Sequence, residues 1–316
     1  MSRASRAARW CLRIAVSVGI VSYILVDVSK RDLLHALLRV RVHLVAGAVA
    51  LYLLGQLLSA LKWATLGRSV GLRGSIVDYT RFYFIGMFFN LFGPSTLGGD
   101  VVRALYLGGG RRPGLALNSV LFDRLSGLAV LMAVAAVALL AFPQYDFPPL
   151  LQVTTVVCGL GLVLGWWTCP RLVRLLPASN RLRHLIEVEL APFWRDRLLL
   201  LRVAAISLAF HLSQVGVQYV LCRAAGADVS FSYCLIFHPI LSVMLALPVS
   251  LGGFGVREGG YLYFLTRINV DDSIAVTMGL LWWAVTVCAG LVGGALFFAA
   301  GAQLPRLRAH TAEEAA

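Results

Sequence analysis

Two arginines in apolar surroundings are the residues best suited to chemistry in this chain. Arg103 and Arg257 each close a segment of the form Pro-x-(Ser/Thr)-Leu-Gly-Gly-x-x-Val-Arg. A guanidinium presents parallel donors that match a phosphate or a carboxylate, and it keeps its charge. In lipid such a charge costs at least ~2.5 kcal/mol on insertion scales, so it is expected to face a protein interior or a wet cavity. The glycine pair ahead of each arginine lets backbone approach a ligand closely. The short helix expected after each pair would aim free N–H groups and a positive dipole end at an anion. Arg103, Arg257, Gly98, Gly99, Gly252, Gly253, Ser95 and Ser250 are therefore the candidate substrate-binding residues, and Pro94 and Pro248 are the helix breaks. The competing reading is structural: Arg103 pairs with Asp100 or Asp123, Arg257 pairs with Glu258, and the glycines serve tight packing.

Around these lie the groups that would pair or switch. Asp100, Asp123, Arg124 and Glu258 are candidate ion-pair or coupling residues, since intramembrane charges seek partners or carry protons. Asn90 and Ser95 are expected to satisfy backbone groups freed by the first break. His211, Gln214 and Gln218 recur at helical spacing and predict a polar seam between helices. His238 stands without metal-ligand partners at useful spacing. The six cysteines form neither a CxxC nor a Cys/His cluster and read as small buried hydrophobes, so no metal and no cofactor is expected. Walker A, GxSxG and HExxH patterns are absent from the sequence.

The two arginine segments align without a gap, with six of ten positions identical and an offset of 154 residues. That predicts a two-fold internal repeat with halves at about 43–141 and 199–301. The elements that must position these residues are membrane helices. Hydrophobic residues make up 59% of the chain, mean hydropathy is +0.81, and several apolar runs reach the ~20 residues that cross a bilayer. This excludes an ordinary soluble protein. The formal net charge of +13 comes almost wholly from arginine, Lys30 and Lys62 being the only lysines, and carries no nucleic-acid implication. Ordinary spans are predicted at about 10–28, 43–66, 114–141, 150–168, 199–222 and 273–301. The first follows Arg3, Arg6, Arg9 and Arg13 and is read as a retained helix, not a cleaved signal.

Between the spans lie two interrupted apolar stretches, about 76–109 and 231–267, whose arms are too short to cross alone. Seven arginines between 171 and 202 mark a cytoplasmic basic loop, about 170–200, expected as a surface helix on anionic lipids. Arginines flank the first interrupted stretch, whereas 226–228 and 269–273 flank the second without any. The stretches are therefore expected as re-entrant hairpins opening to opposite faces, an inverted repeat, with both termini cytoplasmic. Residues 29–42 are expected as an amphipathic helix on the outer surface. The predicted fold is an all-α polytopic membrane protein of about six full spans and two re-entrant hairpins, forming one domain over 1–316.

At FNLFGPSTLGGDVVRALYL (89–107), LFDRLSGL (121–128) and LPVSLGGFGVREGGYLYFL (247–265) the chain resembles the lysylphosphatidylglycerol synthase transmembrane-region, or flippase-like domain, family. The resemblance implies a membrane fold with two re-entrant elements. In the multiple peptide resistance factor this region is the flippase half, moving aminoacylated phosphatidylglycerol between leaflets. The 316 residues carry no soluble aminoacyl-transferase domain, so aminoacyl-lipid synthesis is not the expected activity. The leading expectation is a lipid flippase of the bacterial inner membrane, moving an anionic phospholipid or polyprenyl-phosphate-linked lipid. The alternative is a membrane-embedded enzyme, or enzyme subunit, acting on polyprenyl-phosphate sugars or other glycolipids. Expected partners are anionic membrane lipids, with a lipid-pathway enzyme and a second copy of the chain as further candidates.

Overall fold

A computed structural model describes residues 29–92, 97–108, 112–177, 179–246 and 253–302. The expected span at 10–28 and the break residues Pro94, Ser95, Pro248, Ser250 and Gly252 lie outside the described residues. Every regular element among the described residues is helical. Five helices are long and apolar enough to cross a membrane: α2 (Val42–Ser69), α5 (Pro113–Ala141), α6 (Pro149–Leu172), α7 (Arg197–Ala224) and α10 (Asp272–Ala299). The 28 residues of α2, α7 and α10 rise ~42 Å each, beyond a ~30 Å hydrocarbon core. Proline opens α5 and α6, where its missing N–H has no intrahelical partner to lose. Asp196 caps α7, its carboxylate accepting from the N–H groups of Leu198 and Leu199 at 2.9 and 3.1 Å. A short helix, α1 (Lys30–Leu38), buries none of its own residues and rests Leu33 near Val276 of α10.

Both interrupted stretches fold as hairpins of two short helices. In the first, α3 (Ile76–Phe92) and α4 (Leu97–Gly108) run antiparallel. Phe82 stacks on Tyr106 with ring centroids 5.1 Å apart, and the Asn90 side-chain oxygen accepts from Gly99 N–H at 2.8 Å. Between these contacts Gly99 lies directly on the Gly86 carbonyl, so any side chain there would strike α3 backbone. In the second, α8 (Phe231–Ala246) pairs with α9 (Val256–Thr266). Tyr233 donates to the Phe264 carbonyl at 2.6 Å, and Gly260 gives Leu241 room. Gly253 and Gly255, with φ of +81° and +83°, make the turn into α9, a conformation that glycine alone adopts freely.

The hairpins enter from opposite ends of α5. Gly108, at the base of the first, abuts Pro113 and Ala116 at the start of α5. Tyr145 and Phe147, just past its other end, pack on Tyr233 at the base of the second. α2 lies along α7 at the centre, Gly55 facing Ser213 and Gln214 while Gly216 faces Leu51. Around this pair the contacts exchange by halves. α3 packs on α10 as α8 packs on α5, and α4 on α5 as α9 on α10.

The basic loop differs from the expected surface helix. Pro177 and Pro192 interrupt it, and it forms short turns at Val173–Leu175, Arg181–His184, Leu185–Glu189 and Ala191–Arg195. Phe193 is buried against Phe122 of α5, and Trp194 Nε1–H donates to the Trp166 carbonyl at 3.0 Å, so the segment is a folded cap on the helix ends.

Candidate functional site

Five charged side chains from three elements converge beside the first hairpin. α4 supplies Asp100 and Arg103, one helical turn apart and thus on one face. α5 supplies the adjacent Asp123 and Arg124, which point in different directions, and α2 supplies Lys62. Asp123 is shared: Arg103 Nη2 donates to Oδ2 at 3.0 Å, and Lys62 Nζ lies 3.0 Å from Oδ1. Lys62 also donates to the Asp123 carbonyl at 2.8 Å and to Ser207 Oγ at 3.4 Å. Asp100 is shared too, between a bidentate Arg124 (2.9 and 3.0 Å) and Arg103 Nε at 3.1 Å. Arg103 is 2% and Asp123 4% exposed, whereas the Arg124 side chain is 48% exposed.

The Arg103 guanidinium lies between the Trp63 and Tyr83 rings, 4.8 and 5.1 Å from their centroids. Both rings are anchored. Trp63 Nε1–H donates to Ser119 Oγ at 3.1 Å, and Tyr83 O–H donates to Gln56 Oε1 at 3.3 Å. Arg103 Nη1 is buried and finds no hydrogen-bond partner among the described residues. Three cations thus face two carboxylates; the four buried groups balance, and the extra positive charge is the half-exposed Arg124.

The second hairpin is built differently. Arg257 donates through Nε and Nη2 to Glu258 Oε1 at 3.0 and 2.8 Å, under the Phe254 ring at 5.0 Å. Glu258 Oε2 accepts from Gly255 N–H at 2.8 Å, which also caps α9. This site is self-neutralised, so the aligned decapeptides do not give like-charged sites. The ion pairs named by the competing structural reading are present: Arg103, expected on Asp100 or Asp123, meets both, and Arg257 meets Glu258. Of the glycines, Gly99 is taken up in hairpin packing, Gly253 in the turn, and Gly98 is exposed.

The polar seam on α7 divides among three neighbours. His211 Nε2 donates to the Gly127 carbonyl of α5 at 2.9 Å, since a carbonyl can only accept. Gln214 abuts Gly55 of α2, and Gln218 Oε1 accepts from Tyr261 of α9 at 2.7 Å. His238 contacts the Trp282 ring at 5.2 Å and Ser242 Oγ at 3.4 Å. In the basic cap, a 2.7 Å hydrogen bond from Arg183 holds the Glu187 carboxyl below its ordinary pKa.

Lys62, Trp63 and Tyr83 complete the site without having been singled out in the sequence. The available signal was Lys62, one of only two lysines and placed far inside an apolar run. The model of the lysylphosphatidylglycerol synthase TM region family matches residues 10–294. No curated protein matches the chain.

Proposed function

Because the chain belongs to the lysylphosphatidylglycerol synthase TM region family, a family of membrane proteins in lipid metabolism or transport, we propose that it moves an anionic lipid between leaflets. The headgroup phosphate is held at Arg103. One observation carries this reading: Arg103 is buried in the cluster with Nη1 unmatched by any described acceptor, while the half-exposed Arg124 beside it gives the five groups one positive charge more than their carboxylates balance. A phosphodiester monoanion would complete Arg103 and balance the half-exposed Arg124 beside it.

The arrangement also supports release. Asp123 lies between two cations, so when Arg103 turns to a phosphate, Lys62 keeps the carboxylate paired. Glu258 lacks this provision, because only the neutral Gly255 N–H stays bonded to it if Arg257 leaves. The arginine of the first hairpin can therefore exchange a carboxylate for a phosphate without stranding a buried charge, whereas Arg257 would leave its own counterion behind. Both arginines are closed off in this conformation, Arg257 being 4% exposed, so movement of the hairpin arms admits the lipid. With the hairpins opening to opposite faces, headgroup access alternates between leaflets. The seven arginines of 171–202 support a cytoplasmic position for the base of the first hairpin. The alternative of an enzyme acting on polyprenyl-phosphate sugars draws no support from the two site aspartates, which are committed to cations, not free for acid–base work.

Proteoliposomes carrying labelled phosphatidylglycerol or labelled phosphatidylcholine test the reading. The anionic lipid is expected to cross faster with protein than without it, and faster than the zwitterionic one. Equal rates with and without protein would remove lipid translocation from the account.

A further inference from the structure

A second lipid-shaped feature lies away from the hairpin cluster. A groove of about 700 Å³ runs between α5, α6 and α7, and its lining is apolar apart from Ser126. Its α5 wall, from Ser126 to Phe142, rises ~24 Å, more than the depth of one leaflet's hydrocarbon layer. Small side chains, among them Ala129, Ala133 and Ala204, keep it open. A pocket of about 730 Å³ lies at the cap end of α6 and α7, and Arg171, Arg174, Arg195 and Arg197 line it against the single acid Glu187. Trp166 and Leu200 line both spaces, so the basic pocket adjoins the groove.

We infer that this joined pocket and groove bind one anionic phospholipid, its phosphate among the cap arginines and an acyl chain along α5. Leaving Arg171 aside, Arg174, Arg195 and Arg197 outnumber Glu187 by two charges where the chain turns out of the membrane, the level at which phospholipid phosphates lie. Trp166 and Trp194 stand at the junction, where amphipathic rings favour the boundary between headgroup and hydrocarbon. A free phosphate would use the pocket and leave the groove idle. An uncharged lipid would use the groove and leave the arginines idle. The site is separate from the Arg103 cluster, so it stands or falls without the transport reading.

Binding of labelled phosphatidylglycerol and phosphatidylcholine to the detergent-solubilised chain tests it, in an Arg103→Gln background that silences the hairpin site. Phosphatidylglycerol is expected to bind in preference. The exposed pair Arg195→Gln/Arg197→Gln should weaken it roughly 30-fold, leaving phosphatidylcholine unchanged. Ala204→Trp, which fills the groove, should weaken phosphatidylglycerol by a similar factor, and Leu201→Gln serves if that variant fails to fold. Undiminished phosphatidylglycerol binding in the arginine pair, or in a folded groove variant, would overturn the site. Displacement of the lipid by inorganic phosphate at equal concentration would overturn it also, because the groove would then contribute nothing.

Discussion

Asp123 decides how the cluster behaves at the scale of single residues. It satisfies Arg103 and Lys62 together, so replacing it leaves three buried or half-buried cations facing Asp100 alone. Asp123→Asn should lower stability by about 3–5 kcal/mol, the usual effect of stranding a buried charge. Adding Lys62→Met should recover part of that loss, with a coupling of roughly 0.5–3 kcal/mol in unfolding of the purified protein. Strictly additive losses would mean that the two residues do not share a charge balance. The Arg103–Asp100–Asp123 grouping was legible in the sequence because a charge in an apolar run demands a partner, and few carboxylates were at hand. Lys62 was not legible. Its contact with Asp123 spans 61 residues and depends on how α2 is rotated against α5, which no local spacing encodes. The Trp63 and Tyr83 rings were hidden for the same reason, each lying on a different helix from the guanidinium they enclose.

Among the elements, the hairpins depend on glycines that let helices touch through backbone. Gly293 of α10 lies on the Phe84 carbonyl of α3, and a side chain there would meet main chain that cannot move aside cheaply. Gly293→Ala should therefore cost about 1–3 kcal/mol in thermal or denaturant unfolding. Gly161→Ala on α6, which faces open space, should be neutral or slightly stabilising, and similar losses in both would refute the packing argument. The spans at 43–66, 114–141, 150–168, 199–222 and 273–301 were readable to within a few residues, because long apolar runs leave little choice. The antiparallel hairpins followed from arms too short to cross and from the arginines around them. The cap at 173–196 did not follow. Its arginines suggested one exposed helix, whereas Phe193 and Trp194 tie it to α5 and α6 through aromatic contacts that charge counting cannot register.

Taken whole, the molecule has two halves that exchange contacts about the α2–α7 pair while differing in charge. The first hairpin holds three cations against two carboxylates, and the second holds one of each. Under the proposed function, an anion would meet a site whose carboxylate keeps a second cation on one face, and on the other a site where Arg257 must leave its own counterion. The repeat itself was visible in two aligned decapeptides, but this inequality was not, since Lys62 lies outside the repeated segment. In the proposed function Arg103, with its unmatched Nη1, receives a lipid phosphate. The most direct test is the initial rate of phosphatidylglycerol translocation in proteoliposomes bearing Arg103→Gln, with folding checked in the same preparation. Loss of one charge-assisted hydrogen-bonded contact predicts a fall of about 10- to 100-fold toward the protein-free rate. A folded Arg103→Gln protein that moves phosphatidylglycerol as fast as the unaltered chain would contradict it.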